Sequence, residues 1–175
     1  MGHRRRAGPP DLVIRDRQPA DDEAIRRLND AAFDGTYESR LIDDVRATNC
    51  AVVELVSVDG TDVIGHILMS ALDVSVADKP VRSLALAPMS VQPGRQRQGI
   101  GSALVREALR RAQQQGWQAV IVLGHPGYYP RFGFSAALAR PLASPFSGDA
   151  FMALELIPGV LQGGAGRVVY PSAFD

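Results

Sequence analysis

The sequence predicts a single α/β (α+β) domain, and three observations carry that reading. The chain has 175 residues, which suits one domain and leaves little room for a second. Apolar residues make up 46% of it and charged residues 22%, the balance of an ordinary globular protein with a core of its own. Strand-like β-branched runs share the chain with amphipathic helical segments, and the clearest helix is flanked on both sides by apolar strands. A chain of this length buries roughly 70% of its unfolded surface, so it needs no disulfide or metal staple.

The elements follow in order. Residues 1–10 read as a flexible tail and 11–175 as the domain. Leu12-Val13-Ile14-Arg15 is a short strand. After Pro19, Asp21-Asp22-Glu23 places acid on the first turn of a helix, where the dipole favours it. Ile25, Leu28, Ala32 and Phe33 recur on one face of that helix, and Gly35 is expected to end it. Leu41, Ile42 and Val45 suggest a second, shorter helix. Cys50 to Val58 and Asp62 to Leu72 form a hairpin about the Asp59-Gly60 turn. A turn at Asp78–Pro80 leads into a strand from Val81 to Val91. Pro88 in that strand cannot donate to a ladder and marks an edge, a bulge or a splayed position. Gly99 to Gln115 is the clearest helix, with Ile100, Ala103, Leu104, Ala108 and Ala112 in one stripe and Gly116 as its stop. Ala119 to Leu123 is apolar throughout, as in a buried central strand. Phe151 to Leu156 and Arg167 to Tyr170 read as closing strands, with Gly163-Gly164-Ala165-Gly166 a turn between them.

Composition excludes several classes. The 19 basic and 19 acidic residues cancel, which argues against a nucleic-acid-coating protein. Lys79 is the only lysine, a bias of coding and not of function. Cys50 stands alone, so neither a disulfide framework nor a thiolate zinc cluster is expected. No apolar run approaches the ~20 residues of a membrane span. Arg4, Arg5 and Arg6 precede no apolar stretch, so no secretory signal is read there, and the expected address is cytoplasmic. His66 and His125 are far apart with no carboxylate cluster, so no metal is expected.

Chemistry concentrates in Val91-Gln92-Pro93-Gly94-Arg95-Gln96-Arg97-Gln98-Gly99-Ile100-Gly101-Ser102. A strand ends, a polar loop follows, and two glycines open a helix whose first N–H groups lack internal partners. Those groups and the helix dipole favour an anion, and glycine lets it approach the backbone. Arg95 and Arg97 add positive charge. The segment therefore predicts a phosphate or pyrophosphate cradle. It is not a P-loop, because no Lys precedes Ser102, and it is not a dinucleotide fingerprint, because Leu104 holds the third-glycine position.

Gln96-Arg97-Gln98-Gly99-Ile100-Gly101 resembles the Gln/Arg-x-x-Gly-x-Gly/Ala motif of the GNAT superfamily of acetyl-CoA-dependent N-acetyltransferases. The order of elements is similar to that fold from Leu12 to about Leu156. The resemblance implies a mixed central sheet, flanked by helices and splayed between Leu84–Val91 and Ala119–Leu123, with the cofactor in the opening. It implies pantetheine contacts from Met89, Ser90 and Val91. The pyrophosphate would lie on Gln96, Arg97, Gln98, Gly99, Ile100, Gly101 and Ser102. Tyr129-Pro130-Arg131-Phe132-Gly133-Phe134 resembles the family pattern of a Tyr four residues before Gly-Phe. By that resemblance Tyr129 protonates the departing thiolate, with Tyr128 in reserve. The wider string Gly124 to Phe134 and the tail Phe151 to Leu156 resemble a bacterial subgroup of predicted N-acetyltransferases.

The general base is harder to assign. Ser83 to Val91 holds no carboxylate, so Glu54, Asp73, His66 and His125 remain, each with a plain alternative as a solvated or packing residue. His125 ranks first, as a weak base candidate at the end of a central strand. Acceptor choice is expected from Asp34 to Arg46, with Glu38, Asp43 and Asp44, and from loops after Phe134. The acceptor is a small-molecule or peptide amine, with no nucleic-acid or membrane partner, and a homodimer is left open. Direct transfer is favoured because Cys50 lies far in sequence from the cofactor motif. Two rivals stand: a non-catalytic acyl-CoA-binding sensor or interaction module, and a binder of another nucleotide diphosphate.

Overall fold

The computed structural model describes residues 12–175. The tail expected at 1–10 lies outside the described residues. The described chain forms β1 (Leu12–Asp16), α1 (Asp22–Phe33), α2 (Tyr37–Ala47), β2 (Ala51–Asp59), β3 (Asp62–Val76) and β4 (Lys79–Val91). It continues through α3 (Ile100–Gln114), β5 (Ala119–Leu123), α4 (Ala136–Ala139), β6 (Leu142–Ala143), β7 (Phe151–Glu155) and β8 (Gly166–Val169).

One mixed sheet runs β1-β2-β3-β4-β5-β7, and β8 joins the far half of β3 beyond the end of β2. β1 to β4 are antiparallel neighbours; β5 is parallel to β4 and antiparallel to β7. Helices cover both faces. The α3 stripe of Ile100, Leu104, Val105 and Ala108 packs with Ile67, Leu84, Leu86 and Val122 on one face. Ile25 of α1 and Leu41, Ile42 and Val45 of α2 pack with Val56, Val58 and Leu68 on the other. β5 is buried from Ala119 to Val122, as its unbroken apolar run requires.

The β3–β4 hairpin turns on Ala77-Asp78, both with positive φ (49° and 62°), and not on Asp78–Pro80. Two left-handed residues between paired strands match the right-handed strand twist. Ala carries no sequence signal for that conformation, so the turn falls earlier than expected and both strands are longer. The residue that closes α1 is likewise Asp34, left-handed at φ 52°, and not Gly35. The 142–143 strand and α4 had no periodic signal at their lengths.

Candidate active site

The sheet opens where β4 and β5 part. Their parallel pairing runs from Ser83↔Ala119 to Leu86↔Val122 and stops, while β4 continues to Val91. At the same place β4 carries a bulge: Ile67 to Met69 on β3 faces Met89 to Leu86 on β4. The extra residue beside Pro88 shifts the alternation of side chains. Leu84 and Leu86 point toward α3, and beyond the bulge Met89 and Val91 do so again. Ser90 falls on the α1/α2 face, opposite His66. Its hydroxyl is buried and has no hydrogen-bond partner among the described residues.

The loop after β4 is bent by left-handed backbone at Gly94, Arg97 and Gly99. Gly99, at φ 83°, is the residue from which α3 starts, and the first intrahelical bond runs from Ala103 N–H to its carbonyl. The N–H groups of Ile100, Gly101 and Ser102 therefore have no acceptor within the helix. The Gln96 side-chain amide donates to Val91 O at 3.3 Å and ties the loop to the strand end. Arg95 pairs with Asp59 at 3.1 Å, and the Gln98 side chain accepts from Arg95 Nε at 3.4 Å. A Cβ on Gly101 would lie 3.2 Å from the Met89 sulfur and 3.3 Å from the Tyr128 hydroxyl, so this helix turn meets both closely.

One cleft of about 1000 Å³ passes through the opening. On the α3 face it is lined by Arg97, Gly99, Ile100, Gly101 and Ser102, and between the strands by Pro88, Met89, Ser90 and Val91. Gln96 also lines it, whereas Gln98 does not. On the other face it meets Phe33 at the end of α1, Tyr37, Glu38 and Leu41 of α2, and Phe146, Tyr170 and Phe174. The expected acceptor segment thus reaches the cleft through Tyr37, Glu38 and Leu41, and Glu38 is its only acid there. Asp43 pairs instead with Arg26 at 2.9 Å, and neither Asp43 nor Asp44 lines the cleft. Phe146 falls in the loops after Phe134 expected to contribute, but it, Tyr170 and Phe174 were not singled out as residues, because only the closing strands bring them to α2.

Past β5, His125 is exposed and lines the cleft, and its carbonyl accepts from the N–H groups of Tyr128 and Tyr129. That turn places the two tyrosines differently. The Tyr128 hydroxyl bonds Ser102 Oγ at 3.0 Å, with the Arg131 guanidinium 4.5 Å over its ring. Tyr129 is buried, edge-on to Tyr128 and Phe134, and its ring lies against Gly124, which has no Cβ to obstruct it. Burial, with a smaller contribution from Tyr128, pushes the Tyr129 phenol up to about 12, so it stays protonated.

Glu54 is no solvated strand residue. It is buried and takes a bidentate pair from Arg46 at 3.0 and 2.6 Å and the His66 Nε2–H at 2.7 Å. Burial alone would raise its pKa; the hydrogen bonds from His66 and Arg46 outweigh that and hold it at about 2. His66 is wholly buried, and burial lowers its pKa despite Glu54. Its Nδ1 accepts from Asn29 Nδ2 at 3.3 Å, which fits a neutral ring. Neither residue lines the cleft, nor do Cys50 and the exposed Asp73. Among the described residues no three His, Cys, Asp or Glu side chains converge as a metal site, and no helix is long and apolar enough to cross a membrane.

A sheet parted between two parallel strands beside a glycine-opened helix defines the class. An acetyltransferase (GNAT) domain profile matches residues 13–137. The chain belongs to the GNAT acetyltransferase family. It is 32% identical over 167 residues to the uncharacterized N-acetyltransferase YhbS of Escherichia coli K12, covering 94% of this chain and 99% of that one. The crystal structure of E. coli YhbS in complex with CoA superposes with a TM-score of 0.86 at 30% identity, over 97% of this chain and 95% of that one. A GNAT family acetyltransferase from Brucella melitensis in complex with acetyl-CoA superposes at 0.78 and 32% identity, over 95% and 100% of the two chains.

Proposed function

We propose that the protein transfers the acetyl group of acetyl-CoA directly to an amine. The observation that carries this is the single cleft joining the α3 N-terminus to the α1/α2 face through the β4–β5 gap. Such a passage suits a cofactor whose diphosphate stays on one face while its thioester is presented on the other. That two similar proteins were crystallised with CoA and acetyl-CoA supports the reading.

In this proposal the diphosphate lies on N–H groups from Arg97 to Ser102, with Arg97 beside it. The pantetheine arm runs along Met89, Ser90 and Val91, beyond the pairing with β5. The neutral amine attacks the thioester carbonyl, a C–N bond forms, and the C–S bond breaks as the tetrahedral adduct collapses. Tyr129 gives its phenolic proton to the departing thiolate, a donation typically worth about 10²–10⁴ in rate. The amine proton leaves through solvent in the cleft or through His125. Glu54 is discounted as base, because Arg46 and His66 occupy it and hold it ionised at about 2. Alignment in one cleft supplies the rest of the rate.

The test is a melt with acetyl-CoA followed by CoA release over a panel of amines. Acetyl-CoA at about 100 times its dissociation constant should add about 2.7 kcal/mol of stability. No shift at millimolar acetyl-CoA refutes the cofactor site. A shift with no CoA release from any amine favours the non-catalytic binding module.

A further inference from the structure

The two halves of the cleft differ sharply in chemistry. The cofactor half carries Arg95, Arg97 and Arg131, whereas Glu38 is the only carboxylate among the lining residues. Glu38 lies on the first turn of α2, half buried, and forms no ion pair among the described residues. Around it the wall is aromatic. Phe33 and Tyr37 keep 41% and 44% of their surface open. Phe146, Tyr170 and Phe174 form a chain of rings with centroids 5.1 and 5.2 Å apart. The Tyr37 hydroxyl donates to Phe174 O at 3.2 Å, so α2 and the C-terminal segment make one wall. Burial holds the Tyr170 phenol at about 12, and it adds no charge at neutral pH.

Resting on the acetyltransferase reading, we infer that the acceptor is a primary amine bearing one positive charge and an aromatic or bulky apolar body. An open aromatic wall favours burying such a body and attracts an ammonium to ring faces. One carboxylate suits one ammonium during approach. A polyamine or an aminoglycoside would bring further charges with no second carboxylate in the lining to meet them. The shared volume of about 1000 Å³ also has to hold the cofactor arm, which leaves space for a small acceptor.

The experiment uses the full chain saturated with CoA and measures equilibrium binding of 2-phenylethylamine, spermidine and kanamycin by calorimetry. With acetyl-CoA, kcat/KM is measured for the same three. Binding of 2-phenylethylamine should be at least tenfold tighter than that of either polycation. Phe33→Ala and Tyr37→Ala should each weaken it at least fivefold, Tyr37→Phe should restore it, and Glu38→Gln should weaken it with no change in acetyl-CoA binding. Equal or tighter binding of spermidine or kanamycin overturns the inference, as does wild-type affinity in Tyr37→Ala. Because binding is read apart from turnover, tight 2-phenylethylamine binding without acetylation sinks the catalytic reading while leaving this site standing. Brisk acetylation of kanamycin alone does the reverse.

Discussion

Gly124 gives the most direct test of Tyr129. A Cβ built on Gly124 would lie 2.3 Å from Tyr129 Cε2 and 2.7 Å from Cδ2, where ordinary contact begins near 3.4 Å. Gly124 lacks the left-handed backbone seen at Gly99 and Gly133, so Gly124→Ala strains no dihedral and acts only through the ring. To relieve the overlap the Tyr129 ring must move by about 1 Å, and a displacement of that size at a reacting group costs about 10²-fold in rate. Overpacking a full site also costs about 1–3 kcal/mol of stability. The expected result is a kcat lower by about two orders of magnitude, a modestly lower Tm and an unchanged melt shift with acetyl-CoA. Tyr129→Phe alone should lower kcat at least tenfold, since the ring stays and only the donor goes. If both changes act through the one hydroxyl, Gly124→Ala should cost much less when added to Tyr129→Phe than in the parent. Wild-type kcat in Gly124→Ala, or full additivity of the two losses, would refute the acid role.

Gly99→Val and Gly101→Val should abolish the acetyl-CoA melt shift while preserving helix content by circular dichroism, the first also through strain at φ 83°; a retained shift in either would misplace the cradle. Tyr128→Phe should lower kcat less than Tyr129→Phe, because its hydroxyl is bonded to Ser102; a loss confined to Tyr128→Phe would exchange the two roles. Acid should destabilise the fold in two stages, read by denaturant melts from pH 8 to pH 3. His66 titrates lower folded than its ordinary 6.5, and Glu54 at about 2 against 4.5, so the unfolded chain binds the protons that the native one refuses. Stability is thus complete above pH 6.5, declines below it through His66, and falls again below pH 4.5 through Glu54, by about 3 kcal/mol in all for the latter. A flat profile between pH 7 and pH 4 would contradict this.

How far the sequence reached depends on whether a signal was local. Gly99, Gly101 and the α3 stripe announce a helix start within a dozen residues, and the structure places that start at the sheet opening. Pro88 marks the opening because a missing N–H is itself local information. The tyrosine pair was legible as a pattern, but not which hydroxyl faces which neighbour; that follows from the 3-10 turn at Tyr129–Phe132. Glu54 and His66 lie twelve residues apart in strands and give no hint of touching, since only antiparallel register brings their side chains together. The loops after Phe134 were legible as a region, but the meeting of Phe146, Tyr170 and Phe174 was not, since they come together only once the closing segments are in place.

The buried Arg46–Glu54–His66–Asn29 group explains how the α1/α2 wall of the cleft is held on the sheet. Arg46 lies on α2, Glu54 on β2, His66 on β3 and Asn29 on α1, and bonds of 2.6, 2.7 and 3.3 Å link them in that order. Desolvating such ions is expensive, and apolar packing would do as well for stability alone. Breaking the pair is another matter: Glu54→Gln takes the bidentate carboxylate from Arg46, which keeps Asp22 at 3.3 Å, so the cost stays below the about 3–5 kcal/mol of a fully unpaired buried charge. What directional bonds add over apolar packing is a fixed pose for α1 and α2 on the sheet. Phe33 ends the first of these helices, and Tyr37 and Glu38 begin the second, so the proposed acceptor wall inherits that pose. Ser90, opposite His66 on β4, the strand proposed to carry the pantetheine arm, faces that same side of the sheet. If the network positions the wall, Glu54→Gln should raise KM for the amine more than KM for acetyl-CoA at a temperature where the variant is still folded. Equal changes in both would mean that it serves stability only.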